Sequence, residues 1–186
     1  MRIVSGKWRG RRLRAPKGKA VRPTADRVRE AIFGILGERT EAARVLDLFA
    51  GTGALGLEAL SRGASSAVLV ESDPRVFGVL CRNVADLGAR EAEPLHMECR
   101  AAIRLLRGRG IRFGLVFLDP PYGKGIAERS AGDLAGGGLL EPGGTVVVEE
   151  AARAGEPVFP PGWERIEDRN YGSTRVMIFA VGKESR

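Results

Sequence analysis

The run Leu115-Val116-Phe117-Leu118-Asp119-Pro120-Pro121-Tyr122 is apolar for four residues and then stops at a carboxylate, two prolines and an aromatic ring. Its first half reads as a buried β-strand. Neither proline can donate a ladder hydrogen bond, so the strand has to end at Asp119. In an open parallel sheet, ligands lie outside the carboxyl ends of the strands, which would set Asp119, Pro120 and Tyr122 beside whatever the protein binds. A strand followed by an ordinary turn would account for the same residues, so a second motif has to decide.

The flanking pattern says what kind of sheet this strand joins. Strands expected at 45–49, 67–71, 94–97, 113–119 and 145–149 alternate with helices expected at 55–62, 74–87, 101–107 and 126–134. Such alternation implies right-handed βαβ units and a doubly wound, mostly parallel α/β sheet covered on both faces. Two more strands, 163–168 and 175–181, follow without an intervening helix and predict a C-terminal hairpin turning at Gly172. Upstream, Thr24 predicts an N-cap for a helix over 25–36, whose Val28, Ala31, Ile32, Ile35 and Leu36 form one apolar stripe. Residues 2–15 mix arginines with Ile3, Val4, Trp8 and Leu13, with Gly6 and Gly10 at turn positions, and predict a small basic β-hairpin. The expected organisation is a basic arm over 1–22 and one catalytic domain over 23–186.

Charge is unevenly spread along the chain. The net charge is +7, yet residues 1–30 hold eleven Lys and Arg against two acids, which leaves the remainder slightly acidic. That asymmetry points to a polyanion, and Lys7, Arg9, Arg11 and Arg12 are the candidate phosphate contacts, with Trp8 as a base-stacking ring, while Arg27 and Arg29, beside Asp26 and Glu30 on the polar face of the expected helix, read equally as phosphate contacts or as a solvated salt-bridged surface. A solvated arm, or a Trp8 that anchors a small core, would give the same residues. No apolar run approaches the roughly 18 residues that cross a bilayer, and the N-terminus lacks a secretory pattern, so a cytoplasmic monomer without membrane contact is expected. Cys81, Cys99 and His96, the only cysteines and histidine, assemble neither a disulfide framework nor a metal cage; no metal is expected and these residues read as core.

The second motif is Asp47-Leu48-Phe49-Ala50-Gly51-Thr52-Gly53-Ala54-Leu55-Gly56, between the first sheet strand and its helix. Glycines at 51, 53 and 56 permit a tight turn and close approach of a ligand to the backbone of residues 49–53. Glu71 ends the next strand twenty residues after Gly51, where a carboxylate accepts from ribose hydroxyls. Asp47 separates two cofactors: it would repel a pyrophosphate and attract the ammonium of a methionine moiety, which favours S-adenosylmethionine over a dinucleotide. Glu98, just after the third strand, is the candidate acceptor for the adenine amine, its register open by a residue or two.

With both motifs in place the chain resembles the class I methyltransferases, and Asp119-Pro120-Pro121-Tyr122 resembles the signature of those that methylate exocyclic amines. Arg2-Ile3-Val4-Ser5-Gly6-Lys7-Trp8-Arg9-Gly10, Arg22-Pro23-Thr24-Ala25-Asp26-Arg27-Val28-Arg29-Glu30 and Tyr171-Gly172-Ser173-Thr174 resemble the RsmD family of 16S rRNA (guanine-N2)-methyltransferases. The resemblance implies a seven-stranded sheet with an antiparallel last strand. It further implies S-adenosylmethionine as cofactor and 16S rRNA or the assembling small subunit as partner. It sets Arg22, Thr24, Asp26, Arg27 and Arg29 against the active site. Asp119 and the Pro120 carbonyl would accept from the amine while Tyr122 stacks on a flipped base. A DNA adenine-N6 methyltransferase shares the tetrapeptide but calls for a target-recognition insert that is not obvious here. A non-catalytic nucleotide-binding or RNA-binding module would need neither motif intact.

Overall fold

The computed structural model describes residues 1–16, 23–121 and 125–182, the side chains of 23–25 excepted. Arg22, Tyr122 and the side chain of Thr24 therefore lie outside the described residues.

Helix α1 (Pro23–Leu36) and a 3-10 turn (Gly37–Thr40) precede the sheet. Then come β1 (Arg44–Asp47), α2 (Ala54–Ser61), β2 (Ser66–Glu71), α3 (Pro74–Leu87), β3 (Ala92–His96), α4 (Cys99–Gly108), β4 (Phe113–Leu118) and α5 (Ile126–Gly136). The chain closes with β5 (Leu140–Ala151), β6 (Trp163–Tyr171) and β7 (Thr174–Val181). The seven strands form one sheet in the order β3-β2-β1-β4-β5-β7-β6. Strands β1 to β5 pair in parallel, while β7 runs antiparallel between β5 and β6, as expected for the C-terminal hairpin. The strand order reverses between β1 and β4, the place where an open α/β sheet leaves a crevice at its carboxyl edge.

Alternation along each strand sorts the two layers. Val45, Leu69, Leu115, Phe117 and Val147 face α1, α2 and α3, where Ile32, Phe33, Leu57 and Leu80 are buried. Leu46, Val68, Val116, Leu118 and Val148 face the other way, onto Ala102, Ile103 and Leu106 of α4 and Ala131 and Leu134 of α5. Both faces being covered explains why the central strands read as nearly unbroken apolar runs. No described helix is long and apolar enough to cross a membrane.

Two local expectations are corrected. Helix α1 begins at Pro23, where a missing N–H is harmless, so Thr24 sits inside the first turn instead of capping it. Strand β5 runs well past 145–149, because Leu140 pairs with Phe113 across a register shift and Glu150 and Ala151 continue onto β7. The N-terminal segment folds back on itself through one antiparallel bridge, Arg2 to Arg12, with Ile3 N–H donating to the Arg11 carbonyl at 2.9 Å, Gly10 N–H to the Ile3 carbonyl at 2.9 Å and Leu13 N–H to the Met1 carbonyl at 3.0 Å. The amides between go to α2. Val4 and Ser5 N–H donate to the Glu58 carboxylate at 2.7 and 2.9 Å, and Lys7 and Trp8 N–H donate to the Ser61 carbonyl and hydroxyl at 2.8 and 3.0 Å. With Ile3 and Leu13 buried in the core beside α1 and α2, the segment is fastened to α2. Gly6 makes the close approach possible: its φ is +81°, and a Cβ there would lie 1.7 Å from the Ser61 carbonyl oxygen.

Candidate active site

The apolar pattern that fills the α1–α3 face also fixes what ends each strand on that face. Continuing the alternation past Val45, Leu69, Phe117 and Val147 brings Asp47, Glu71, Asp119 and Glu149 to the carboxyl edge on the same side of the sheet. In spatial order β2-β1-β4-β5 they form a row of four acids across the crevice.

Glu71 is held from both sides. Its Oε2 accepts from Gly51 N–H at 3.0 Å and its Oε1 from Asp73 N–H at 2.7 Å, so the carboxylate is oriented while each oxygen keeps a lone pair for another donor. Asp47 is buried, 1% exposed, with Oδ2 accepting from Gly56 N–H at 3.2 Å and Oδ1 accepting no well-formed hydrogen bond. Burial pushes its carboxyl up to about 7, with Asp119 adding repulsion, while the Gly56 and Phe49 amides pull the other way. Gly56 has to be glycine for α2 to sit this close, since a Cβ would lie 2.2 Å from a Leu69 methyl.

Asp119 follows β4 and is partly exposed; burial, and then the charge of Glu150, raise its carboxyl to about 6. Pro120 behind it is buried and Pro121 exposed. Glu149 on β5 is raised to about 8, first by burial and then by Asp119 and Asp47, against the opposing pull of Arg29.

A cavity of about 540 Å³ runs along this edge, lined by Phe49, Gly51, Glu71, Ser72, Asp73, Val76, Asp119, Pro120 and Pro121. It joins the two motifs, 70 residues apart, into one site. Ala50 and Gly53 are buried behind the turn, where Gly53 N–H donates to the Ala50 carbonyl at 2.7 Å; Thr52 is half-buried beside them. Ser72, Asp73 and Val76 were not among the sequence candidates. The signal was present in Asp73-Pro74, since Asp73 caps α3 by accepting from Arg75 and Val76 N–H. Glu98 stands exposed at the N-terminus of α4 and does not line the cavity. His96 stacks on Phe77 at 4.8 Å, and burial pushes the Cys99 thiol up to about 11, which leaves it without thiolate character at neutral pH.

The basic candidates divide in two. Arg2, Arg9 and Arg27 line an open groove of about 450 Å³ with Asp26 and Glu30, and Arg11 and Arg12 are exposed nearby. Lys7 pairs with Glu91 at 2.9 Å and lies over the half-buried Trp8 ring, which packs against the core and is not a free stacking face. Arg29 is a correction: it is 3% exposed, and its guanidinium donates to the Arg2 carbonyl, to Asp26 at 3.1 Å and to Glu58 at 3.4 Å. It is a buried ion-pair residue, closed to phosphate.

Sequence comparison agrees with this geometry. The chain is 37% identical over 179 residues to the ribosomal RNA small subunit methyltransferase D of Escherichia coli K12, covering 96% of this chain and 89% of that one. It is 33% identical to the Haemophilus influenzae protein of the same name, covering 96% and 93%. The solved structure of the Escherichia coli yhhF protein superposes with a TM-score of 0.89 at 36% identity, over 99% of each chain. The sequence model of the family described as Conserved hypothetical protein 95 matches residues 1–180, and the chain belongs to that family, the RsmD family its motifs resemble.

Proposed function

We propose that the protein transfers a methyl group from S-adenosylmethionine to the N2 amine of a guanine in 16S rRNA. The observation that carries this reading is the cavity shared by the glycine turn and Asp119-Pro120. The residues present fit the cofactor. Asp47 lies buried behind the turn, where its carboxyl would attract the ammonium, and the doubly held Glu71 has lone pairs left for two ribose hydroxyls. When bound, the cofactor supplies a methyl group on a positively charged sulfur.

The protein's own task is positioning. An aromatic amine is a weak nucleophile because its lone pair is delocalised into the ring. Asp119 Oδ and the Pro120 carbonyl accept the two N–H bonds and draw the nitrogen toward a tetrahedral geometry, with the lone pair facing the methyl. A carboxylate raised to about 6 is ionised at neutral pH and close enough to it to take the departing proton. Residues 1–22 serve the catalytic unit 23–186 as an RNA-binding arm, and Tyr122 stacks on the extruded base.

Two relatives named as small-subunit rRNA methyltransferases support the substrate class. The test is labelled methyl transfer to small-subunit rRNA, to small-subunit particles and to duplex DNA, with nucleoside analysis. N2-methylguanosine is expected in RNA, and N6-methyladenine in DNA would overturn the substrate. Asp119→Ala should lower kcat by about 100- to 1000-fold, and near-normal turnover would remove Asp119 from the mechanism.

A further inference from the structure

Of the four acids in the row, three have a task in the reading above and Glu149 has none. Val148 pairs with Leu118, so Glu149 stands beside Asp119 on the next strand, about 4.8 Å across, and on the same face. The cofactor cavity extends from Asp119 in the opposite direction, toward β1 and β2. In-line transfer puts the amine nitrogen opposite the sulfur across the methyl carbon. With the cofactor cavity on the β1–β2 side of Asp119, the side over β4 and β5 is the one left for the ring that carries the amine. Glu149 lies near the end of β5 there, half-buried, with its carboxyl turned to the face that holds Asp119, Asp47 and the Arg29 guanidinium.

The geometry points to Glu149 as the residue that selects guanine, by accepting the N1–H beside the reacting amine; the inference rests on the guanine-N2 reading above. On guanine the neighbour of the amine is an N–H donor. On adenine it is an N1 lone pair. An acid one strand beyond Asp119 is therefore matched to the first and, when ionised, repels the second. In the free protein burial, and then Asp119 and Asp47, raise Glu149 to about 8, with Arg29 the one described cation among the groups that act on it. A base edge offering N–H donors to both Asp119 and Glu149 favours the ionised form that accepts them.

The test compares RNAs that carry guanine or 2-aminopurine at the acceptor position mapped with wild-type enzyme. 2-Aminopurine keeps the amine but presents an acceptor at N1. Wild type should prefer guanine, and Glu149→Gln, whose amide can donate to N1, should lower the guanine to 2-aminopurine ratio of kcat/KM by about 10- to 100-fold. Without cofactor, Glu149→Gln should also bind the 2-aminopurine RNA more tightly than wild type, read from the fluorescence of the extruded base. Guanine methylation with an unchanged ratio in Glu149→Gln overturns the role of Glu149 alone. A wild type that methylates adenine, and not guanine, overturns the function and this inference with it.

Discussion

Asp47 shows how one residue trades stability for function. A carboxyl that is 1% exposed, with one oxygen unpartnered and Asp119 and Glu71 among its neighbours, is held where its charge is least welcome. Its folded pKa, about 7, lies above the unfolded value, so the folded state binds the proton more tightly. The resulting stability is present in full below about pH 4 and is lost as pH rises to about 7. Asp119 and Glu149, raised to about 6 and 8, extend the same trend to about pH 8. The protein without cofactor should therefore melt lower at pH 8 than at pH 5.5. Asp47→Asn should flatten that dependence and be more stable at pH 8 by on the order of 2–4 kcal/mol, about 5–10 °C in Tm. The same substitution should weaken S-adenosylmethionine binding by about 10- to 100-fold, since the ammonium loses a charge-assisted partner. Melting curves across pH and calorimetric titration of both proteins check the two halves. A less stable Asp47→Asn at pH 8 would show that the buried carboxylate is already compensated in the free protein.

At the scale of elements, α2 fastens the N-terminal segment to the glycine turn. Glu58 is fully buried in this helix and receives Val4 and Ser5 N–H, the Arg62 guanidinium at 2.8 Å and the Arg29 guanidinium at 3.4 Å. Glu58→Ala leaves Arg29 with one carboxylate fewer in a dry site and two amides without partners. It should cost about 3–5 kcal/mol in denaturant unfolding and expose residues 4–16 to proteolysis before the rest of the domain. Asn83 makes a second clasp from α3. It accepts from Arg14 N–H at 2.8 Å and donates to the Arg14 and Thr52 carbonyls at 3.2 and 2.9 Å, tying the arm to the glycine turn. The alternation of strands and helices, the C-terminal hairpin and both motifs were legible in the sequence, because alternation, prolines and glycines act over a few residues. Glu58, Asn83 and the burial of Arg29 were not. Each is an ordinary polar residue at an ordinary helical position, and its meaning comes from partners 29 to 69 residues away. Glu149 escaped for the same reason, since only the β4–β5 register sets it beside Asp119.

Across the whole molecule, the charge separation seen in the sequence becomes a division of labour. Arg2, Arg9 and Arg27 line an open groove between the N-terminal segment and α1, whereas the floor of the crevice is the row Glu71, Asp47, Asp119 and Glu149. On the proposed function, the phosphates of a polyanion would meet the arginines of the groove as the rim, and the N–H donors of an exposed base would meet the acids of the crevice as the floor. A bare phosphate is repelled from the floor, so the field itself opposes docking the backbone where the base belongs. Rim and floor should then separate kinetically. Neutralising Arg9 and Arg27 as the double glutamine variant should weaken RNA binding and reduce the slope of log K against log salt by about 0.7 to 0.9 for each phosphate that is no longer neutralised, while kcat at saturating RNA stays near wild type. Asp119→Ala should do the reverse, leaving the salt slope unchanged and lowering kcat. Filter binding from about 50 to 300 mM salt, paired with single-turnover methyl transfer, reads both quantities. An arginine pair whose removal lowered kcat with no change in salt slope would mean that the groove orients the base within the crevice and leaves the phosphates to other residues.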